Sequence, residues 1–404
     1  MNFQISKNFT LSILLMLFLV PADSFSNTDS NPDVRFRELL NRENNNLSIF
    51  ESNGDLELPI LSSGPSTIQK VKGGENYEIK IPIHSEAEIV CYTSEKESDI
   101  PHAYLKSFYD HLGSNDNIEN RNVKSLHADI IQDLPYIYME TEYKTVDQKY
   151  GRVKSLAFSI LGNTFFCFHD ELGYSKTFFR VISSLVQTDY IREFKNTYSN
   201  YYEKQIDIIF LNGIPVGFFE NYEYEDNGQN RNLLTISSLI MPGNSLEIHG
   251  MGTLTNVSVD KVSGEVQAEK HFSYMNNQVS HELLLTRTGG KEYRIQGKFS
   301  GEDVDSVFQS AEPLLSSSFL IKDYLKNKSQ NKISFQEFSP VSPLSASASS
   351  IVSKGVQEDG TTLLKYSIHS QTYDFWMDKN GYRSLKMSMG PVKMILKRSF
   401  YDRK

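Results

Sequence analysis

Apolar and polar residues in the first half of the chain switch between strand-like and helix-like spacing. Residues 77–81 and 87–93 alternate as half-buried strands, and residues 101–112 carry apolar side chains near helical spacing. Strand-like runs follow at 123–131, 136–146, 153–160 and 164–168, and helical spacing returns at 174–188. This order predicts a compact α+β domain over residues 66–195, an antiparallel sheet with helices on one face.

The second half alternates almost throughout. Residues 206–211 and 214–224 flank Asn212-Gly213, a pair that suits a type I′ hairpin turn. Further strand-like runs continue to residue 299 and resume from 362 to 400. Between them, 304–325 predicts helix split by Pro313, and the Pro/Ser-rich stretch 339–350 predicts loop. The pattern therefore predicts a β-rich domain over 200–404, a meander-like antiparallel sheet with a helical and loop insert where a strongly curved sheet would need cover for its open face. The fold class as a whole is α+β and mainly β.

The N-terminus predicts export. Lys7 precedes the apolar run 11–20, and small residues follow at 20–22 or 24–26, which is the order of a secretory signal peptide over residues 1–26. About ten apolar residues are too few to cross about 30 Å of hydrocarbon as a helix. We therefore expect a lead-in segment at 27–65, no transmembrane segment in the mature chain, and a periplasmic or secreted protein.

Charge argues against a nucleic-acid partner. The net charge is −9, and no basic stripe interrupts the dispersed acidic residues.

The two cysteines, Cys91 and Cys167, have two interpretations. Export to an oxidising compartment favours a disulfide between them. The alternative is two separate buried thiols, which behave as small apolar side chains.

The densest group of reactive side chains follows Cys167. On a strand Cys167 and His169 share one face, so they could act as nucleophile and base, or bind a metal with Asp170 and Glu171. The second interpretation is a disulfide cysteine followed by a polar turn that leads into the helix near Tyr174. We favour the second, because neighbours on a strand project in parallel whereas a base must point at its nucleophile. His169, Asp170 and Glu171 remain the candidate site residues, and we predict no catalytic residue, cofactor or metal.

Two short motifs in the second half carry a resemblance. Residues 212–218 (NGIPVGF) form an opening strand pair, and residues 376–381 (WMDKNG) lead into Ser384-Leu385-Lys386. Over about 202–404 the chain resembles the β-rich domain that accompanies bacterial transglutaminase-like domains, and more loosely the lipoprotein-carrier half-barrels. The resemblance implies that the domain over 200–404 is half-barrel-like, an unclosed curved antiparallel sheet around a helical or loop plug. In the carriers the concave face of such a sheet holds acyl chains. The enzymatic domain of the first family is not among these residues, so no catalytic role follows from the resemblance.

Three functions fit these features. The first is a bacterial-type envelope protein without catalytic activity, whose curved C-terminal sheet binds a lipid or other apolar ligand, or another envelope protein. The second is a structural, adhesin-like protein that pairs with partners through its strand edges. The third is a secreted hydrolase that uses the Cys167 and His169 region. The sequence favours the first.

Overall fold

The structure is a computed structural model. It describes residues 38–404 apart from 72–76, 94–100, 161–162, 189–200, 227, 243–246, 277, 325–330 and 390–391. The predicted signal peptide lies outside the described residues. The chain divides into two units, the first comprising Met1–Ser125 and Tyr138–Thr197, the second Leu126–Ile137 and Tyr198–Lys404. Within the part of the chain that the structure describes, no helix is long and apolar enough to cross a bilayer.

The first half forms an eight-stranded sheet, a two-stranded ribbon (β1 and β3) and two helices. The sheet has the order β2-β4-β5-β6-β10-β9-β8-β7. Its elements confirm the predicted α+β order. They are β1 (Ser48–Glu51), β2 (Asn53–Gly54), β3 (Pro59–Ser62), β4 (Thr67–Lys70), β5 (Tyr77–His84), β6 (Ala87–Thr93), α1 (Pro101–Gly113), β7 (Ile118–Ile131), β8 (Leu134–Thr145), β9 (Tyr150–Ile160), β10 (Asn163–Asp170) and α2 (Ser175–Leu185).

Aromatic side chains join helix to sheet in the first unit. Phe108 of α1 lies 5.3 Å from Phe166 and 5.0 Å from Phe168 between ring centroids, and all three rings are buried. Pro101 fits the first turn of α1 because proline lacks the N–H that this turn leaves unused. Buried aromatic rings contribute large apolar areas, so these contacts anchor α1 on β10.

The start of α2 depends on a residue far away in sequence. Tyr174, which precedes the helix, has a left-handed backbone and makes no side-chain capping bond. The carboxylate of Glu43 instead accepts the backbone N–H groups of Lys176 and Thr177 at 2.9 and 2.8 Å. It also accepts the Thr177 hydroxyl at 2.7 Å. The lead-in segment therefore supplies the cap that the helix lacks.

The second half forms one 14-stranded antiparallel sheet in the order β18-β17-β16-β15-β14-β13-β12-β11-β24-β23-β22-β21-β20-β19. The predicted Asn212-Gly213 turn is confirmed, with φ of 48° and 90°. The elements are β11 (Glu203–Leu211), β12 (Ile214–Asp226), β13 (Asn230–Pro242), β14 (Ile248–Asp260), β15 (Val266–Met275), β16 (Gln278–Gly289), β17 (Glu292–Phe299), β18 (Glu302–Gln309), α3 (Ser317–Tyr324), β19 (Lys332–Glu337), β20 (Ser347–Val356), β21 (Thr362–Ile368), β22 (Gln371–Asp378), β23 (Gly381–Met389) and β24 (Val392–Arg403).

The predicted curvature of this sheet is shown by the hydrogen bonds of one peptide group, the one that joins Leu314 and Leu315. The carbonyl oxygen of Leu314 accepts the N–H of Val266 at 2.8 Å, and the N–H of Leu315 donates to Gln336 O at 2.8 Å. Val266 belongs to β15 and Gln336 to β19, which stand ten places apart in the strand order. A flat sheet would separate them by about 48 Å, because neighbouring strands lie about 4.8 Å apart. The sheet therefore bends until strands on opposite sides flank the insert.

The insert and the sheet share two apolar clusters. Phe319 of α3 packs with Leu233, Val257 and Leu285 of the sheet, and Ile321 packs with residues of β19–β23. We call the side of the sheet that these residues occupy the α3-covered face. The core of the second unit lies here, between the helix and both arms of the curved sheet.

Two details of the insert differ from the sequence prediction. Residues 304–309 were predicted as helix but belong to strand β18, because they pair with β17 and their side chains alternate between half-buried and exposed positions. The predicted loop 339–350 ends early, since β20 begins at Ser347. Its serine and alanine residues are poor strand formers, and pairing with β19 and β21 overrides that preference.

Candidate functional site

The two cysteines are bonded to each other. Cys91 of β6 and Cys167 of β10 are directly opposed in an antiparallel pair, and both are fully buried. The disulfide predicted from the sequence is therefore present. Because Sγ of Cys167 is committed to this bond, Cys167 has no thiol to act as a nucleophile.

His169 lies two residues beyond Cys167, in the buried interior of the first unit. Its Nδ1 is 2.8 Å from the backbone oxygen of Glu88, so Nδ1 carries the proton and donates it. Burial lowers the pKa of His169 to about 3, and the charge of Lys154 lowers it further. The imidazole is thus neutral at physiological pH, and its ring meets the edge of Tyr174 with 5.8 Å between centroids.

Asp170 and Glu171 border a buried lysine. The Tyr143 hydroxyl donates to the Asp170 carboxylate at 2.9 Å, while burial raises the pKa of Asp170 to about 6. Burial and the neighbouring Asp170 raise the pKa of Glu171 to about 7. Lys154 donates from Nζ to the backbone oxygen of Glu171 at 2.9 Å, and burial lowers its pKa to about 8. The structure thus brings the three candidate residues around Lys154, which the sequence reasoning missed.

This cluster has the character of a structural network. Its hydrogen bonds hold the turn between β10 and α2, and the opposite charges of Lys154 and the two carboxylates offset one another. A groove of about 1060 Å³ runs beside it, lined by Arg42, His84, Tyr174 and residues of the lead-in segment. Among the described residues no group of three or more side chains is arranged to hold a metal ion.

The α3-covered face of the second unit carries the larger concentration of polar groups. Directly opposed residues of an antiparallel sheet share a face, and so do residues two apart along a strand. Glu223, Leu233 and Val257 belong to this face through their contacts with α3. The register then places two polar rows beside them, consisting of Asn221, Thr235, Thr255 and His271, and of Ser237, Thr253 and Ser273. We call these two rows the polar belt.

Hydrogen bonds run across the strands of the polar belt. Thr235 donates to Asn221 at 3.2 Å, and Thr255 Oγ1 lies 2.8 Å from His271 Nδ1. Ser237 and Thr253 hydroxyls are 2.9 Å apart. Burial lowers the pKa of His271 to about 4, so its ring is neutral. The belt therefore presents short, uncharged hydrogen-bonding side chains.

A buried aspartate continues the belt onto β11. Tyr382 donates its hydroxyl to Asp207 at 2.5 Å, and Gln205 donates its amide at 2.9 Å. Asn221 donates to the same Tyr382 oxygen at 2.9 Å. Burial raises the pKa of Asp207 to about 7 although these bonds and Arg398 favour the ionised form.

Two further carboxyls face each other from opposite arms of the sheet. Glu269 of β15 is opposed by Val257 and Leu285, and it is only 9% exposed. Burial, and then the charge of Glu337 on β19, raise its pKa to about 8. Glu337 accepts the Tyr366 hydroxyl at 2.6 Å, and burial raises its pKa as well. The bend in the sheet is what brings these two groups within electrostatic reach.

Beyond the belt the same face becomes apolar and accessible. Leu239 of β13, Met251 of β14 and Met275 of β15 are directly opposed. Along their strands they lie four residues from Thr235, four from Thr255 and six from Glu269. Met251 is 38% exposed and Met275 45% exposed. We call these three residues the methionine row. Moving away from α3, the face is thus an apolar core, then hydroxyls and amides, then exposed apolar side chains.

No family model matches the chain, and no curated protein matches it. Among solved structures, the chain is similar to a β-barrel-like protein of a domain of unknown function, DUF1849, from Brucella abortus. The identity is 9% and the TM-score 0.40, over 50% of this chain and 98% of that one. A likeness this slight supports no inference about function.

The residues of the polar belt and the methionine row were not singled out in the sequence. Each lies in a strand whose alternation was predicted, but the sequence gives no register between strands. Asn221, Thr255 and His271 are 16 to 50 positions apart, so only the pairing of β12–β15 reveals them as one row. A usable signal was the presence of Thr, Ser and Asn at positions that alternation assigns to the buried side.

Proposed function

We propose that this chain is an exported envelope protein without catalytic activity that binds an amphipathic ligand on the α3-covered face of its C-terminal sheet. The apolar chain of the ligand lies along the methionine row, and its polar head group lies on the polar belt. The observation that carries the proposal is the exposure of Met251 and Met275 on the face that also holds the core.

The methionine row suits an apolar chain of variable shape. Methionine has a flexible, polarisable side chain that adapts to different partners. Covering apolar surface contributes about 25 cal/mol per Å² removed from water. Phe219 packs, as does Leu239 of the row, against the neighbouring cluster of Ile209, Val216 and Leu396, and so extends the apolar surface beside the row.

The polar belt supplies what a head group needs. Its hydroxyl, amide and imidazole groups stand in two adjacent rows. Ligand sites commonly combine an apolar lining with a few convergent polar groups. The polar side chains fix orientation, and the apolar row provides affinity.

We propose that the protein is exported from the cytoplasm before it binds its ligand. The predicted signal peptide motivates it, and the Cys91–Cys167 disulfide supports it because such bonds persist in oxidising compartments. We propose a periplasmic or secreted location for the mature protein.

The other two functions have less support. A hydrolase based on Cys167 and His169 lacks a nucleophile, since the sulfur is bonded to Cys91 and the imidazole donates to Glu88. One edge of the second sheet at which an adhesin-like protein could add strands is β18, which carries Glu302, Asp303 and Asp305. Charged side chains on an edge strand disfavour such pairing.

The test compares two aspartate substitutions. Met251→Asp places a charge in the methionine row, while Leu284→Asp places the same charge on the opposite face of β16, where Leu284 is 42% exposed. Titration with the neutral apolar dye N-phenyl-1-naphthylamine measures binding by fluorescence. We expect saturable binding that weakens at least tenfold in Met251→Asp and is unchanged in Leu284→Asp. Absence of saturable binding to the unmodified protein, or equal loss in both variants, contradicts the proposal.

A further inference from the structure

The α3-covered face holds two carboxyls with very different surroundings. Glu337 accepts a hydrogen bond from the Tyr366 hydroxyl at 2.6 Å, and the hydroxyls of Ser349 and Ser317 favour its ionised form. Glu269 receives no hydrogen bond from the described residues, and its neighbours across the sheet are Val257 and Leu285. At 9% exposure, Glu269 is a buried carboxyl without a partner. Such a group is costly unless a proton or a cation neutralises it.

The cations of this face are already engaged elsewhere. Lys322 of α3 lies 2.5 Å from Glu203 and 3.0 Å from Glu223, and it bridges them. Arg398 pairs with Asp378. His271, which follows Glu269 by two residues on the same face of β15, is neutral because of its burial. The described part of this face therefore has an excess of acidic groups beside the polar belt.

The polar belt lies close enough to Glu269 for its carboxyl to interact electrostatically with a ligand head group on the belt. His271 lies two residues from Glu269 on the same face, about 7 Å along the strand, and Met275 lies six residues away, about 20 Å. A chain on the methionine row thus places its head group between Met275 and Glu269. Within a half-buried environment an unscreened charge at this range stabilises an opposite charge and repels a like one.

We propose that Glu269, with Glu337 beside it, selects ligands whose head group carries an ammonium and disfavours anionic head groups. This inference rests on the function proposed above and adds the charge class of the ligand. Charge complementarity commits the face to one occupant, an amphipathic amine. Glu269 has a pKa of about 8 in the empty protein, so ammonium binding at pH 7 releases its proton to solvent.

The test uses three probes with the same alkyl chain: dodecylammonium, dodecanol and dodecanoate, each below its micelle concentration. Displacement of N-phenyl-1-naphthylamine at pH 7 gives the three affinities. We expect the amine to bind at least tenfold more tightly than the alcohol, and the alcohol more tightly than the carboxylate. Calorimetry of amine binding in buffers of different ionisation enthalpy should show proton release.

Two matched substitutions assign the preference to its residue. Glu269→Gln removes the charge and keeps the shape, and it should abolish both the amine preference and the proton release. Glu282→Gln makes the same change on the exposed, opposite face of β16 and should alter none of the three affinities. Tryptophan fluorescence of each variant verifies that the sheet is folded.

Two outcomes separate the inference from the proposed function. If amine and alcohol bind equally, or if Glu269→Gln retains the amine preference, Glu269 is neutralised by a proton shared with Glu337 and the inference is wrong, while ligand binding stands. If neither the amine nor the alcohol binds saturably, the proposed function itself is wrong and the inference falls with it.

Discussion

Replacing Glu269 with glutamine should change how the stability of the second unit depends on pH. In the unfolded chain the glutamate side chain has a pKa near 4.5, and in the folded protein burial raises its pKa to about 8. Between these values the folded state holds a proton that the unfolded state has released. The free energy of unfolding therefore falls as pH rises through this window.

The size of the effect follows from the two pKa values. A pKa difference of one corresponds to about 1.4 kcal/mol, so the contribution from Glu269 between pH 4.5 and pH 8 is on the order of 5 kcal/mol. Glu269→Gln has no charge to bury at any pH. The variant should match the unmodified protein near pH 4.5 and exceed it by several kcal/mol near pH 8.

The assay is urea unfolding at four pH values from 5 to 8. Trp376, the single tryptophan of the chain, lies in β22, so its fluorescence reports on the C-terminal sheet. Glu282→Gln, on the exposed side of β16, serves as the control and should keep the pH slope of the unmodified protein. If the free energy of unfolding has the same pH slope in Glu269→Gln as in the unmodified protein, the prediction is wrong, because Glu269 then titrates alike in the folded and unfolded states.

Two further predictions concern the first unit. Replacing both Cys91 and Cys167 with serine should lower the free energy of unfolding of this unit by about 4 kcal/mol, since the disulfide closes a loop across 76 positions. Denaturant unfolding followed by far-UV circular dichroism measures the change. An unchanged midpoint would contradict the prediction. Glu43→Ala should cost about 1 kcal/mol and speed amide exchange in the first turn of α2, because Lys176 and Thr177 lose their acceptor. Glu43→Gln, which keeps an acceptor oxygen, should retain most of the protection, and equal exchange in both variants would count against the cap.

Much of the fold was predictable because local patterns and local structure agree. Alternation identified most strands of the two large sheets, although β1–β4 and β18–β20 were not predicted as strands. Asn212-Gly213 identified its hairpin because such residues adopt positive φ at little cost. Helix α1 lies where proline and glycine bracket an apolar face. These features depend on neighbours in sequence.

What escaped prediction depends on residues far apart in sequence. A curved second sheet was expected, but the contacts that hold the bend were not: the backbone groups of Leu314 and Leu315 bond to strands that are ten places apart. Residues 304–309 have enough apolar content for a helix, and pairing with β17 decides for a strand. Strand register and the contacts across the bend are tertiary properties, and a single sequence contains no direct signal for them.

The candidate site was only partly predictable for the same reason. Asp170 and Glu171 drew attention as neighbours in sequence, but Lys154, which organises them, comes from an adjacent strand. Glu269 and Glu337 lie 68 positions apart and meet only because the sheet curves. Each was an unremarkable glutamate within an alternating strand.

Photolabelling with a neutral long-chain alkyl diazirine, followed by peptide mapping by mass spectrometry, tests most directly whether the α3-covered face binds ligand. We expect adducts on the peptides that carry Met251 and Met275, and an excess of dodecanol should reduce their yield. Adducts concentrated on the opposite face around Leu284, or labelling that dodecanol does not reduce, would contradict it.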